Sequence, residues 1–216
     1  MEGIRIALRF AMTRPGLFAC VVMLLLLCSA VPALGSSVVQ TSMVEMFDSS
    51  ELVFEGVVAG VETRADDAES TIHTYVRFAV LDVLKGEWAQ ETIEIRFLGG
   101  RLGEMSLHVS ESNIPSQNER GIYFIESLER FQVNPIFGWA QGHFVLNPDE
   151  SGILRVHTFS GDPVVGLGAP TTPGARAASS GVALGVRLKE PKLQEVPLDS
   201  DQFKTLIRKF GDLQRD

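Results

Sequence analysis

The 216-residue sequence predicts an all-β fold: a small barrel, closed or partly open, with a short helix ahead of it and an amphipathic helix behind it. Three observations predict this. Between residues 51 and 157, seven short β-branched or alternating segments are punctuated by Gly, Pro, Asn, Asp and Ser turns. Only two stretches carry helical periodicity. One long strand also changes the phase of its apolar residues halfway along, as a bulge makes it do when a strand bends across a small barrel.

Residues 1–35 read as a secretory signal rather than as part of the fold. Arg5, Arg9 and Arg14 make a basic start, residues 17–27 (LFACVVMLLLL) are an unbroken apolar run, and Pro32-Ala33-Leu34-Gly35 supplies small residues for cleavage after Gly35. An uncleaved anchor competes, since residues 17–34 number 18 and a span needs roughly 20; Pro32 and the small residues favour processing. Both cysteines, Cys20 and Cys28, lie inside this segment, so the mature chain has no thiol for staples, catalysis or thiolate metal sites. The full chain has 19 Lys and Arg against 27 Asp and Glu. Without the three Arg and one Glu of the signal, 16 face 26, a net of −10. That charge keeps an exported domain dispersed and argues against nucleic acid, whose phosphates need a basic face. The expected destination is the periplasm or the medium, with no membrane association of the mature form.

Residues 43–49 are expected as the short helix, plugging one end of the barrel. Residues 52–61 (LVFEGVVAGV) are apolar on both phases, as a strand covered on two sides requires. Next, Ile72, Val76, Phe78 and Val80 share one face and His73, Tyr75 and Arg77 the other, until Leu81 and Val83 flip the phase around Asp82. Lys85-Gly86-Glu87 closes that strand. Ile93, Ile95 and Phe97 point inward against Thr92, Glu94 and Arg96, ending at Gly99-Gly100. Met105, Leu107 and Val109 repeat the alternation, residues 122–125 (IYFI) form a buried strand, and residues 142–146 with 153–156 form a closing hairpin around NPDESG. The barrel domain is thus residues 36–160.

Residues 161–197 are rich in Gly, Pro, Ala, Ser and Thr and read as a linker, though Val164, Val165 and Leu167 can add an edge strand. In residues 198–216, Asp199 or Ser200 can cap a helix whose stripe is Phe203, Leu206, Ile207, Phe210 and Leu213. That stripe either docks on the barrel or, with Phe203 and Phe210, meets a partner.

The stretch "PIFGWAQGHF", residues 135–144, reads as a corner where glycines let the barrel bend and Trp139 fills the space beside Gly138. As a functional surface, Trp139, Gln141 and His143 would line a groove for a sugar or peptide. His73, His108, His143 and His157 are isolated on different segments without metal-binding spacing, though two can converge with Asp82 or Glu94. Ser49-Ser50, Ser106 and Ser110 lack a nucleophile elbow. In the loop "ETRADDAES", Asp66, Asp67 and Glu69 lack the spacing of a calcium loop and read as a solvated hairpin tip. No catalytic residue, metal ligand or cofactor is assigned.

The stretches "DSSELVFEGVVAGVETR", "IHTYVRFAVLDVLKGEWAQETIEIRFLGG", "NERGIYFIE" and "FGWAQGHFVLNPDESGILRV" resemble an uncharacterised family of bacterial exported β-barrel proteins. The resemblance covers about residues 41–158. More distantly, the arrangement is similar to netrin-like modules and the inhibitory domain of tissue inhibitors of metalloproteinases, five-stranded OB-type barrels. The resemblance implies an OB-like (netrin-like) fold and a protein partner in the envelope or medium, with a secreted protease as its sharpest form. This chain lacks the family's N-terminal cysteine and staples, so zinc chelation by a rigid N-terminus is in doubt. The expected function is therefore a non-catalytic binding or protein-interaction module. Two alternatives stay open: a cell-envelope hydrolase or metal-dependent enzyme using the strand histidines, and a structural envelope protein.

Overall fold

The computed structural model describes residues 38–66, 71–168 and 179–212. The signal segment with Cys20 and Cys28, Asp67 and Glu69 of the acidic loop, and Leu213 lie outside the described residues, and of Asp66 only the backbone is described. Among the described residues no helix is long and apolar enough to cross a membrane.

Helix α1 spans Met43–Ser49, where the sequence placed it. The Ser42 hydroxyl accepts from the Glu45 N–H at 3.1 Å, and Met43, Met46 and Phe47, spaced three and four apart, are buried. Its C-terminus is closed by a lysine from another element: the Lys85 ammonium donates to the carbonyls of Phe47 and Asp48 at 2.6 and 2.7 Å. A cation there satisfies carbonyls that the helix leaves open and meets the negative end of its dipole. Burial pulls the Lys85 pKa down, against the opposing pull of Asp48.

Strands β1 (Leu52–Asp66), β2 (Thr71–Lys85), β3 (Thr92–Leu98), β6 (Arg120–Ile125), β7 (His143–Pro148) and β8 (Leu154–Thr158) form one antiparallel sheet ordered β3-β2-β1-β6-β7-β8. The phase flip in β2 is a bulge. Glu55 pairs with Asp82 and Gly56 with Val80, leaving Leu81 without an opposite residue; Leu84 on β2 and Ala59 on β1 are left over in the same way. Leu81, expected inward, is instead 51% exposed, because the extra residue turns outward. Strand β3 keeps its expected alternation, with Ile93, Ile95 and Phe97 buried.

The sheet does not close, which corrects the closed form of the expected barrel. The outer edge of β8 is already occupied: the Val156 N–H bonds the Leu198 carbonyl and the Thr158 N–H bonds the Asp162 carbonyl, each at 2.9 Å. Beside β3, an irregular segment fills the seam. The Leu98 N–H donates to Val133, the Glu126 N–H to Pro135, and the Phe137 N–H to the Phe124 carbonyl. The apolar half of "PIFGWAQGHF" therefore seals the curl of the sheet, with Ile136 buried. The rest is a 3-10 turn, Trp139–Gly142, rather than a bent strand. A side chain on Gly142 would meet the Phe137 carbonyl at 2.6 Å, so backbone approach, not strand curvature, requires that glycine.

Two cores lie on opposite faces of the sheet. One gathers Leu52, Phe54, Phe78, Ile95, Phe97, Tyr123 and Ile136; the other gathers Val53, Phe124, Phe144 and Val156 beneath α1 and helix α2 (Ser200–Asp212). Met105 and Leu107 do not extend the sheet. Strands β4 (Gly100–Leu102) and β5 (Met105–Leu107) form a separate hairpin in which Met105 is 55% exposed.

The expected linker, residues 161–197, also departs from expectation. Residues 169–178 lie outside the described residues, but Val164–Leu167 and Val186–Leu188 pair as β9 and β10. Backbone bonds from Met43 N–H to Leu184 and from Leu184 N–H to Thr41 tie the stretch to the segment before α1. Such ladders, together with buried Ala183 and Val164, order a composition poor in large side chains. Helix α2 opens with a reciprocal cap: the Gln202 N–H donates to Asp199 Oδ1 at 2.8 Å, and the Asp199 N–H to Gln202 Oε1 at 3.1 Å. It docks on the sheet through Phe203 and Ile207, both fully buried.

Candidate functional site

A cleft of about 850 Å³ lies between the first turns of α2 and the β7–β8 hairpin. Its apolar walls are Ile153, Leu154, Leu198 and Leu206, and its polar groups come from Arg120, Ser200, Asp201, Gln202, Lys204 and Thr205. The hairpin wall is held rigid by Asp149. Its Oδ1 accepts from the N–H groups of Ser151 and Ile153 at 2.9 and 3.0 Å, and its Oδ2 accepts from Arg155 Nε at 2.8 Å. The Arg155 bond, with those backbone donors, holds the Asp149 carboxyl below the usual carboxylate range.

Under the cleft lies the acidic residue of an otherwise apolar stretch, Glu55 of β1, 1% exposed. Every bond it needs is supplied. Oε1 accepts Arg120 Nε and Nη2 at 2.8 and 2.6 Å; Oε2 accepts Lys204 Nζ at 2.7 Å and the Ser200 hydroxyl at 3.3 Å. Lys204 also meets Asp82 and Asp201, while Arg208 grips both Asp82 oxygens at 2.9 Å. Burial alone would lower the Lys204 pKa, but the bonds to Glu55, Asp201 and Asp82 outweigh it and hold the ammonium above the ordinary lysine range.

With Nε and Nη2 committed to Glu55, the Nη1 edge of Arg120 has no partner among the described residues. The antiparallel bridge between Arg155 and Asp199 directs the Ser200 N–H at the Leu154 carbonyl, as the counterpart of the Val156 N–H bond to Leu198, so the start of α2 is tied to β8. Gln202 uses its Oε1 in the cap.

The sequence-predicted residues fall elsewhere. Gln141 is buried and spent on the fold: Oε1 accepts the Thr41 N–H at 2.9 Å, and Nε2 donates to the Val39 and Gly138 carbonyls. Trp139 is half-buried in the 3-10 turn. His143 is fully buried between the rings of Tyr123 and Phe159, its Nε2 2.5 Å from Glu119 Oε1 and its Nδ1 without a hydrogen-bond partner. None of the three lines the cleft. Phe203 packs on Phe144 in the core and Phe210 edges against Phe47, so the apolar stripe of α2 faces inward.

His143, Glu119 and Tyr123 form one network, in which the Tyr123 hydroxyl donates to Glu119 at 3.1 Å. Burial pushes the Glu119 carboxyl up, but His143, the Ser116 N–H and Tyr123 outweigh it and hold the carboxyl low. Burial and the neighbouring carboxylate push the Tyr123 phenol up. Asp82 and Glu94, the carboxylates that histidines were expected to meet, are instead paired with Arg208 and Lys204, and with Arg64. His73 is buried edge-on to Phe131, the His157 ring bonds the Arg155 carbonyl, and His108 is exposed. Among the described residues, no three His, Asp or Glu side chains converge as a metal site needs.

Sequence reasoning missed Glu55, Arg120 and Lys204. The signal was present: an acidic residue inside a strand apolar on both phases must find cations or stay out of the core. No family model, no curated protein and no solved structure matches the chain.

Proposed function

We propose that this chain is an exported, non-catalytic binding module that engages a protein partner of the cell envelope or medium through the cleft beside α2, after cleavage near Gly35. The cleft itself carries the reading. Its volume lies within the range of ligand sites, and its walls combine the apolar side chains of Ile153, Leu154, Leu198 and Leu206 with a few polar residues, Arg120, Gln202 and Lys204 among them. The partly open sheet fits an OB-like (netrin-like) relationship, since β1 pairs on one side with β2 and on the other with the returning β6. A secreted protease is the partner that such a relationship suggests.

The enzyme reading is less well supported. His143, bonded to the Glu119 carboxylate, is sealed from solvent and lies outside the cleft lining. The test is capture from envelope and medium extracts with Ser36–Asp216, which contains both cores whole, alongside Ile153→Glu and Trp139→Ala. Ile153 is 43% exposed on the cleft wall, so its charge blocks the site without disturbing a core. A stoichiometric partner lost with Ile153→Glu and kept with Trp139→Ala supports the cleft. The opposite pattern refutes it.

A further inference from the structure

We propose that the distal half of β1 is a docking edge for the β1 of a second copy of this chain, the two strands running antiparallel about a two-fold axis at Thr63. The backbone alternation sets which groups are open. The Gly99 N–H bonds the Ile72 carbonyl and the Val80 N–H the Glu91 carbonyl, so the even-numbered residues of β2 turn to β3 and the odd-numbered ones to β1. Past the bulge at Ala59, the odd residues of β2 stand opposite Gly60, Glu62 and Arg64. The N–H and C=O groups of Val61, Thr63 and Ala65 therefore turn to the other side of β1, where β6 no longer runs. Pairing with β6 stops at Val57, and the last bonds on that side join Val58 to Asn118 and Glu119. Among the described residues, no backbone partner bonds the N–H or C=O groups of Val61, Thr63 and Ala65 on that side. Val61 is 41% exposed and Ala65 is exposed as well, so the edge lies open.

An open edge is a template for another strand, and charges on it decide which strand fits. Glu62 and Arg64 alternate with the edge residues and share one face, Arg64 bonding Glu62 at 2.6 Å and Glu94 of β3 at 3.0 Å. With Thr63 opposite Thr63 of the second copy, Glu62 faces the second copy's Arg64, Arg64 faces its Glu62, and Val61 faces its Ala65. Opposite charges across a strand pair attract and like charges repel. Sliding one strand to the next register that keeps the hydrogen bonds sets Glu62 on Glu62 or Arg64 on Arg64. The charge pattern thus selects the two-fold register, and a second copy supplies the complementary pattern by symmetry. Because the open stretch is short, the dimer is a weak one that forms with concentration.

The test is sedimentation velocity of Ser36–Asp216, which contains both cores whole, from micromolar to millimolar concentration. Wild type is expected to pass from monomer to dimer across that range. Glu62→Arg and Arg64→Glu each place like charges opposite one another and should weaken self-association about tenfold. An equimolar mixture of the two variants restores both opposite-charge pairs and should recover the dimer. Thr63→Pro removes the central N–H on the side away from β2 and should abolish the dimer. Thr63→Val loses the same hydroxyl contact to Thr74 but keeps that N–H, and should leave the dimer intact. A wild type that stays monomeric, a dimer that survives Thr63→Pro, or a mixture no stronger than its components overturns the proposal. A monomer whose captured partner is lost with Thr63→Pro also overturns self-pairing, and reassigns the edge to an extended strand of another protein. The edge lies outside the cleft lining, so failure here leaves the Ile153→Glu test untouched.

Discussion

Lys204→Met should unclamp α2 from the sheet at one point while keeping helix propensity and side-chain volume. The wild-type ammonium makes three contacts, and they are unequal. Asp201 is 93% exposed, so solvent screens that pair to little. Asp82 lies at 3.3 Å and keeps both bonds to Arg208 after the substitution. The remaining contact, 2.7 Å to a carboxylate 1% exposed, is a buried charge-assisted bond worth about 2 kcal/mol. Urea unfolding should show that loss, with a Tm lower by about 4–8 °C for a domain of this size. Glu55→Gln combined with Lys204→Met should recover a coupling energy of about 1.5 kcal/mol or more. Because the carboxylates raise the pKa of Lys204, its contribution is fully present below the ordinary lysine value of about 10.4 and is lost as pH climbs through the higher folded value. The gap between wild type and Lys204→Met should therefore be flat at neutral pH and shrink in strong alkali. Effects of the two substitutions that add within about 0.5 kcal/mol would refute the idea that Glu55 clamps the helix.

Phe203→Ala should cost about 3–4 kcal/mol in denaturant unfolding, since Phe203 is fully buried against Phe144, and the half-buried Phe210→Ala clearly less. Equal losses would mean that α2 does not dock as described. Gly86→Ala should cost about 2 kcal/mol or more, because its φ of +84° is left-handed and the new Cβ would collide with the Glu51 carbonyl. Gly103→Ala, with φ +59° and open space around it, is the milder control. Glu119→Gln should lower stability at pH 7 by about 1–2 kcal/mol. A carboxyl held low in the fold contributes above its ordinary value of about 4.3 and loses that contribution as pH falls through the folded value. The difference from wild type should accordingly vanish in acid, and a constant difference down to pH 3 would refute the role assigned to His143 and Tyr123.

Much of the fold was legible because it depends on short-range periodicity. The helix at Met43–Ser49, the alternation of Ile93, Ile95 and Phe97, the IYFI strand and the hairpin around NPDESG are all local patterns of burial and turn chemistry. The bulge at Leu81 was legible as a break in period, although the side to which its extra residue turns was not. The candidate site was barely legible. Trp139, Gln141 and His143 attract attention as polar and aromatic residues among glycines. An isolated sequence does not show that Gln141 reaches 100 residues back to Thr41, or that His143 meets Glu119 across β6 and β7.

By itself the sequence determined the all-β class, the order of strands and helices, and the need for the α2 stripe to be covered, because each follows from residues within a few positions of one another. Only the tertiary structure decided that the sheet stays open, that residues 179–184 fold back on the segment before α1, and that Glu55, Arg120 and Lys204 meet. Those outcomes depend on which backbone segment pairs with each strand edge and on which cation meets which buried charge. Such contacts span 65 to 149 positions and leave only a weak local trace: one acidic residue where the apolar pattern has no place for it.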